Sequence, residues 1–136
     1  MTIPDINRDL LWYLATPYSH PDKWMRKMRF KAAARIAGRL YHDHGIRTFC
    51  PIAHTHPVAM EILDVADPNN SSFWCSWDEA MVQHCDSLLV AELPGWERSS
   101  GIKHETEAFV DRGGLSVIQI NPRPWFTETE WGMLRA

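Results

Sequence analysis

"LLWYLATP", residues 10–17, is six apolar side chains in a row closed by Thr16-Pro17. So short and unbroken an apolar run reads as a strand buried on both faces, and proline stops it because it lacks the N–H that a sheet ladder needs. Strands of that kind belong to parallel sheets, whose crossovers are helices. The chain supplies a helix at once. In residues 22–44, Met25, Met28, Ala32, Ala33, Ile36, Ala37 and Leu40 form one stripe, with Arg26, Lys27, Arg29, Arg35 and Arg39 mostly off it and Gly45 as a stop.

The alternation continues. "IRTFCPI" (46–52) reads as a short strand stopped by proline. Residues 53–72 are ambiguous between a short helix and a polar loop. Residues 73–84 read as a helix and "SLLVAEL" (87–93) as a strand. Residues 101–112 read as a helix ending at Gly113-Gly114, "LSVIQI" (115–120) as a strand and 127–135 as a last helix. This order predicts an α/β fold, one parallel sheet with helices on both faces, in a single domain spanning 1–136. Ligands of such sheets bind beyond the carboxyl ends of the strands. Those ends are Thr16–Ser19, Pro51–His56, Glu92–Gly101 and Asn121.

Bulk composition narrows the partners. The chain has 136 residues, net charge −3 and 45% hydrophobic residues. That balance disfavours a nucleic-acid polymer, which wants a basic face. No apolar run approaches the ~20 residues of a membrane helix, and the N-terminus lacks the pattern of a signal peptide. Cys50, Cys75 and Cys85 then read as reduced thiols of a cytoplasmic protein.

The candidate chemistry collects on the predicted ligand edge. Ser99-Ser100-Gly101 opens a helix, where free N–H groups and the dipole favour an anion. By itself the tripeptide reads more simply as an N-cap serine with a turn glycine. Glu105 falls in the first helical turn, where the dipole should keep it ionised, and Glu107 reads as a surface residue. An ionised, positioned carboxylate suits attack on an anomeric carbon. Asp78 offers a second carboxylate for a leaving base. Asp86 reads as a capping or turn residue. Tyr13, Tyr18 and Ser19 end the first strand, where Tyr13 equally suits the core. His54 and His56, read as an extended H-x-H, point both rings to one side. Cys50, Cys75, His84, Cys85 and His104 are further possible ligands. Without CxxC or HExxH spacing, no metal site is expected, and the two histidines read as substrate contacts.

Three stretches, "WYLATPYS", "WDEAMVQHCDSLLVAEL" and "SSGIKHETEAF", together resemble the nucleoside 2-deoxyribosyltransferase-like superfamily, which includes the 5′-monophosphate nucleotide N-glycosidases. The run from "YLATPYSHPD" and the stretch "PIAHTHP" are similar to a less characterised bacterial and phage branch. The resemblance implies a flavodoxin/Rossmann-like fold. It implies that Glu105 attacks C1′ and forms a glycosyl ester, that Asp78 assists departure of the base, and that Tyr13 orients the nucleophile. Thr16, Tyr18, Ser19, His54, His56, Ser99, Ser100 and Gly101 would contact substrate. Ser99 stands where monophosphate-specific members carry serine and nucleoside-specific members usually carry aspartate, which tilts the expected substrate towards a 5′-monophosphate. Family members are usually homodimers or larger, which implies a homodimer or higher homo-oligomer here, and Asn121 matches the region that reaches a neighbour's pocket. The resemblance implies no cofactor. Two other readings stay open: an NAD or ADP-ribose glycohydrolase, and a non-catalytic nucleotide-sensing module.

Overall fold

The computed structural model describes residues 2–67, 69–113 and 117–135. Four strands, β1 (Leu11–Ala15), β2 (Arg47–Phe49), β3 (Ser87–Ala91) and β4 (Val117–Ile120), form one parallel sheet in the order β2-β1-β3-β4. Tyr13 pairs with Phe49 on one side and Leu88 on the other, and Ala91 with Ile120. The helices are α1 (Lys23–His44), α2 (Pro51–Met60), α3 (Ser71–Val82), α4 (Ser100–Asp111) and α5 (Glu128–Leu134). The expected α/β architecture is therefore present.

Strand parity sorts the core into two layers. Successive side chains of a strand point to opposite faces. Trp12, Leu14, Leu89 and Ala91 pack with Ala33, Ile36 and Leu40 of α1 and Trp131 and Leu134 of α5. Tyr13, Ala15, Leu88 and Val90 pack with Val82 of α3 and Ile102 and Phe109 of α4. Helices thus cover both faces, which is why β1 and β3 carry no polar alternation.

Local chemistry sets the boundaries. Asp22 caps α1 by accepting the Trp24 N–H at 2.9 Å. Gly45 ends it in the left-handed region at φ 67°, where glycine is favoured, and its N–H reaches the Tyr41 carbonyl. Asp86 joins the β1 backbone: its carboxylate accepts from Leu11 N and its N–H donates to Leu11 O, both at 2.8 Å. Thr127 and Glu130 form a capping box on α5, and Arg35 of α1 donates two hydrogen bonds to Glu130 at 3.0 and 2.7 Å.

One expectation changes and one ambiguity is resolved. Residues 46–52 are not one strand. β2 ends at Phe49, and Pro51 starts α2 rather than stopping a strand. Proline is well suited to the first helical position, where its missing N–H is not needed. The ambiguous segment 53–72 resolves into the rest of α2, a loop and the start of α3. The expected strand 115–120 is seen from Val117 onward, while Gly114, Leu115 and Ser116 lie outside the described residues. No helix among the described residues is long and apolar enough to cross a membrane.

Leu89 is fully buried in the central β3 strand, so Leu89→Ala should cost about 2–5 kcal/mol in urea unfolding, whereas Val110→Ala on the exposed side of α4 should change little. Arg35, the Thr127 N–H and local charge hold the Glu130 carboxyl down to about 2. Its contribution is complete above the unfolded glutamate value near ~4.3 and is lost as pH falls through the folded value. Unfolding midpoints of Glu130→Gln followed from pH 6 to pH 2 should lack that part of the acid slope.

Candidate active site

The crossovers leave β1 and β3 in opposite directions, and a cavity of about 620 Å³ opens between the diverging loops at the carboxyl edge of the sheet. The β1 loop gives it Thr16, Pro17, Tyr18 and Ser19. The β3 loop and α4 give it Gly95, Arg98, Ser99, Ser100, Gly101, His104 and Glu105. Helix α3 adds Trp74, Cys75, Asp78 and Glu79.

Asp78 and Glu105 come from different helices and face this one space. Burial pushes the Asp78 carboxyl up to about 6, and its Oδ1 is buried with no hydrogen-bond partner among the described residues. Burial also pushes Glu105 up to about 8; Tyr13 opposes this and the negative charge of Asp78 adds to it. The expectation that a helix dipole keeps Glu105 ionised is thereby corrected. Helix α4 begins at Ser100, so Glu105 is its sixth residue and stands in the second turn. The dipole fades beyond the first turn, and desolvation wins.

Tyr13 lies behind the cavity wall, fully buried between Phe49 and Phe109. Its hydroxyl makes no hydrogen bond of standard geometry, yet it stands close enough to Glu105 for each group to shift the other. Burial and the two carboxylates raise the phenol, so it stays protonated and offers a donor. Strand parity explains the encounter, since Tyr13 faces α4 while Trp12 and Leu14 face α1.

Ser99 caps α4, its hydroxyl accepting the Ile102 N–H at 3.2 Å. The simple capping reading of Ser99 is correct, and the residue still lines the cavity. A Cβ on Gly101 would stand 3.7 Å from Ser99 Oγ and 4.0 Å from Glu105 Oε1, ordinary contact distances that place this residue beside both side chains. Two cations flank this turn. Arg29 of α1 donates to the Ser19 carbonyl at 2.9 Å, and its buried Nε has no hydrogen-bond partner among the described residues. Its guanidinium sits where a side chain on Gly95 would be, 3.0 Å from the Cβ position, and Gly95 itself has φ 95°. Burial and nearby Arg98 lower the Arg29 pKa. Neither arginine has a carboxylate partner among the described residues.

The histidine pair is corrected. His54 and His56 lie on α2, where residues two apart point to nearly opposite sides. His56 is 7% exposed, stacks on Phe30 and shares a 2.6 Å hydrogen bond with Tyr18 at the cavity wall. His54 turns outward, stacks on Trp77 and does not line the cavity. Asn121 is also outside it, exposed, with its side chain accepting the Arg123 N–H at 3.0 Å. Thr16 is buried at the wall with a hydroxyl that lacks a hydrogen bond of standard geometry, though it lies beside the Cys50 thiol.

Sequence reasoning missed Arg29, Arg98, Trp74 and Glu79. Nothing in the local pattern marks Arg29 among the other cations of α1; only the fold brings it across to the β3 loop. Cys75 and His104, which no motif spacing connects, meet with Glu79 at the cavity wall. Cys75 Sγ lies 3.3 Å from Glu79 Oε1 and 3.7 Å from His104 Nε2, and the latter two atoms are 3.5 Å apart.

The model of a domain of unknown function, DUF1937, matches residues 11–121, and the chain belongs to that family. The matched span includes the whole sheet and every cavity residue named above. No curated protein matches the chain at a significant level.

Glu105 has a folded-state pKa above its unfolded one, so its charge destabilises the fold increasingly as pH rises from ~4.3 to about 8. Glu105→Gln should therefore raise the thermal midpoint at pH 9 by several degrees and leave it nearly unchanged at pH 4. Differential scanning calorimetry at the two pH values checks this.

Proposed function

We propose that this member of the DUF1937 family cleaves the N-glycosidic bond of a nucleoside or its 5′-monophosphate and passes the sugar to water or another base. The observation that carries the reading is the convergence of Asp78 and Glu105 on one cavity that is also lined by two arginines without carboxylate partners among the described residues. The resemblance in the sequence motifs supports the same assignment.

In this mechanism Glu105 attacks C1′ as the bond from C1′ to the base nitrogen breaks. The bonding pair leaves with the base, and a proton from Asp78 neutralises it. Positive charge grows on the sugar in the transition state. That charge favours the ionised form of a carboxyl that burial otherwise keeps protonated. Nucleophile ionised and acid protonated amounts to one proton for the pair. Near neutrality a pair with values of about 6 for Asp78 and about 8 for Glu105 holds that one proton on Glu105, so the proton passes from Glu105 to Asp78 as positive charge grows at C1′. Tyr13 steadies Glu105 from behind. Water or a second base then attacks the same carbon, releases Glu105 and restores the configuration at C1′.

Arg29, Arg98 and the amides of Ser100 and Gly101 favour an anionic group on the sugar, so the preferred substrate is the 5′-monophosphate. Trp74 offers an aromatic surface to the base.

Base release measured by chromatography over ribo- and deoxynucleosides, their 5′-monophosphates and NAD tests the assignment. Release should occur from a monophosphate, vanish in Glu105→Ala, and become exchange when a second free base is added. Release from NAD alone would replace this reading with a dinucleotide glycohydrolase. Tight binding without turnover, unchanged in Glu105→Ala, would replace it with a sensor. Arg98→Ala should raise KM about tenfold for monophosphates and leave nucleosides unaffected.

A further inference from the structure

We propose that Cys75, Glu79 and His104 form a zinc site on the wall of the cavity, with one coordination position left open. The argument begins with helix geometry. Cys75 and Glu79 are four residues apart on α3, so their side chains leave the same face. α4 packs against that face and brings His104 to it. The three donor atoms form a nearly equilateral triangle with edges of 3.3, 3.5 and 3.7 Å.

That triangle has the size a tetrahedral ion requires. Bonds of about 2.3 Å to sulfur and about 2.0–2.1 Å to nitrogen or oxygen, at tetrahedral angles, separate the donors by roughly 3.3–3.6 Å. An ion can therefore sit over the three atoms with shifts of only a few tenths of an ångström. The donor set selects among metals. Sulfur, imidazole and carboxylate together suit zinc and disfavour magnesium or calcium, which take oxygen. Three protein ligands are one short of a closed structural site. All three line the cavity, so the fourth position is open to water or to a donor atom of a molecule held there. Zinc binding replaces the thiol proton of Cys75, which passes to solvent.

The other thiols do not compete. Cys50 and Cys85 are buried, whereas Cys75 is only partly so. Among the described residues no other group of three such side chains brings its donor atoms so close. The proposal does not depend on glycosidic chemistry, because it concerns binding of the ion itself.

The test uses the full chain freed of metal with a chelator. Zinc is titrated in against a chromophoric competitor, and cobalt(II) serves as a spectroscopic substitute. One equivalent should bind. Cobalt should give intense visible bands of four-coordinate geometry and a sulfur-to-cobalt charge-transfer band in the near ultraviolet. Cys75→Ser should remove the charge-transfer band, and Cys75→Ser, His104→Ala and Glu79→Gln should each weaken zinc binding at least about tenfold. Millimolar magnesium should not displace zinc, and His84→Ala, in an exposed histidine outside the cluster, should bind as wild type does. Absence of stoichiometric binding at micromolar zinc overturns the proposal. So does binding that survives Cys75→Ser and His104→Ala unchanged, or that is lost equally in His84→Ala.

Discussion

The rest of the molecule depends on β1 being buried on both faces between two parallel neighbours. A strand so placed has no solvent side, so each of its residues must suit one of two helical layers. Trp12 and Leu14 go to α1 and α5, while Tyr13 and Ala15 go to α3 and α4. A one-residue slip would exchange the two sets. It would move Tyr13 away from Glu105 and drive the Trp12 indole into the layer that carries both carboxylates. The register that stabilises the core is thus the register that assembles the site.

The same burial sets the electrostatics. The carboxyls of Asp78 and Glu105 are held partly out of water by the helices that position them, and both become harder to ionise. Arg29 and Arg98 line the same cavity and have no carboxylate partner among the described residues. The cavity thus carries carboxyls that resist ionisation together with these two arginines. The free protein bears the cost of this arrangement in stability, which is common where polar groups are organised before the ligand arrives.

Much of the fold was legible in the sequence because its signals are local. Apolar runs of strand length, one long amphipathic stripe and stops at Gly45 and Pro17 define the alternation, and alternation implies a parallel sheet. Errors arose where one residue type serves two structures. Pro51 ends a strand as readily as it begins a helix, and that choice decided how His54 and His56 point. Glu105 lines the cavity, but its protonation is not legible in the sequence, since burial depends on what α4 packs against and no local pattern records it.

The sequence by itself therefore determined the class of fold, and it marked the carboxyl edge of the sheet, with the candidates Asp78, Glu105 and Ser99–Gly101, where the structure has its cavity. Hydrophobic period and cap chemistry act within a few residues of the chain, so they can be read along it. Tertiary structure alone decided which of those candidates share a cavity, that Arg29 crosses to the β3 loop, that His54 and Asn121 face away, and that Cys75 and Glu79 meet His104. These are contacts between segments distant in the chain, fixed by sheet order and helix packing, and spacing along a sequence does not encode them.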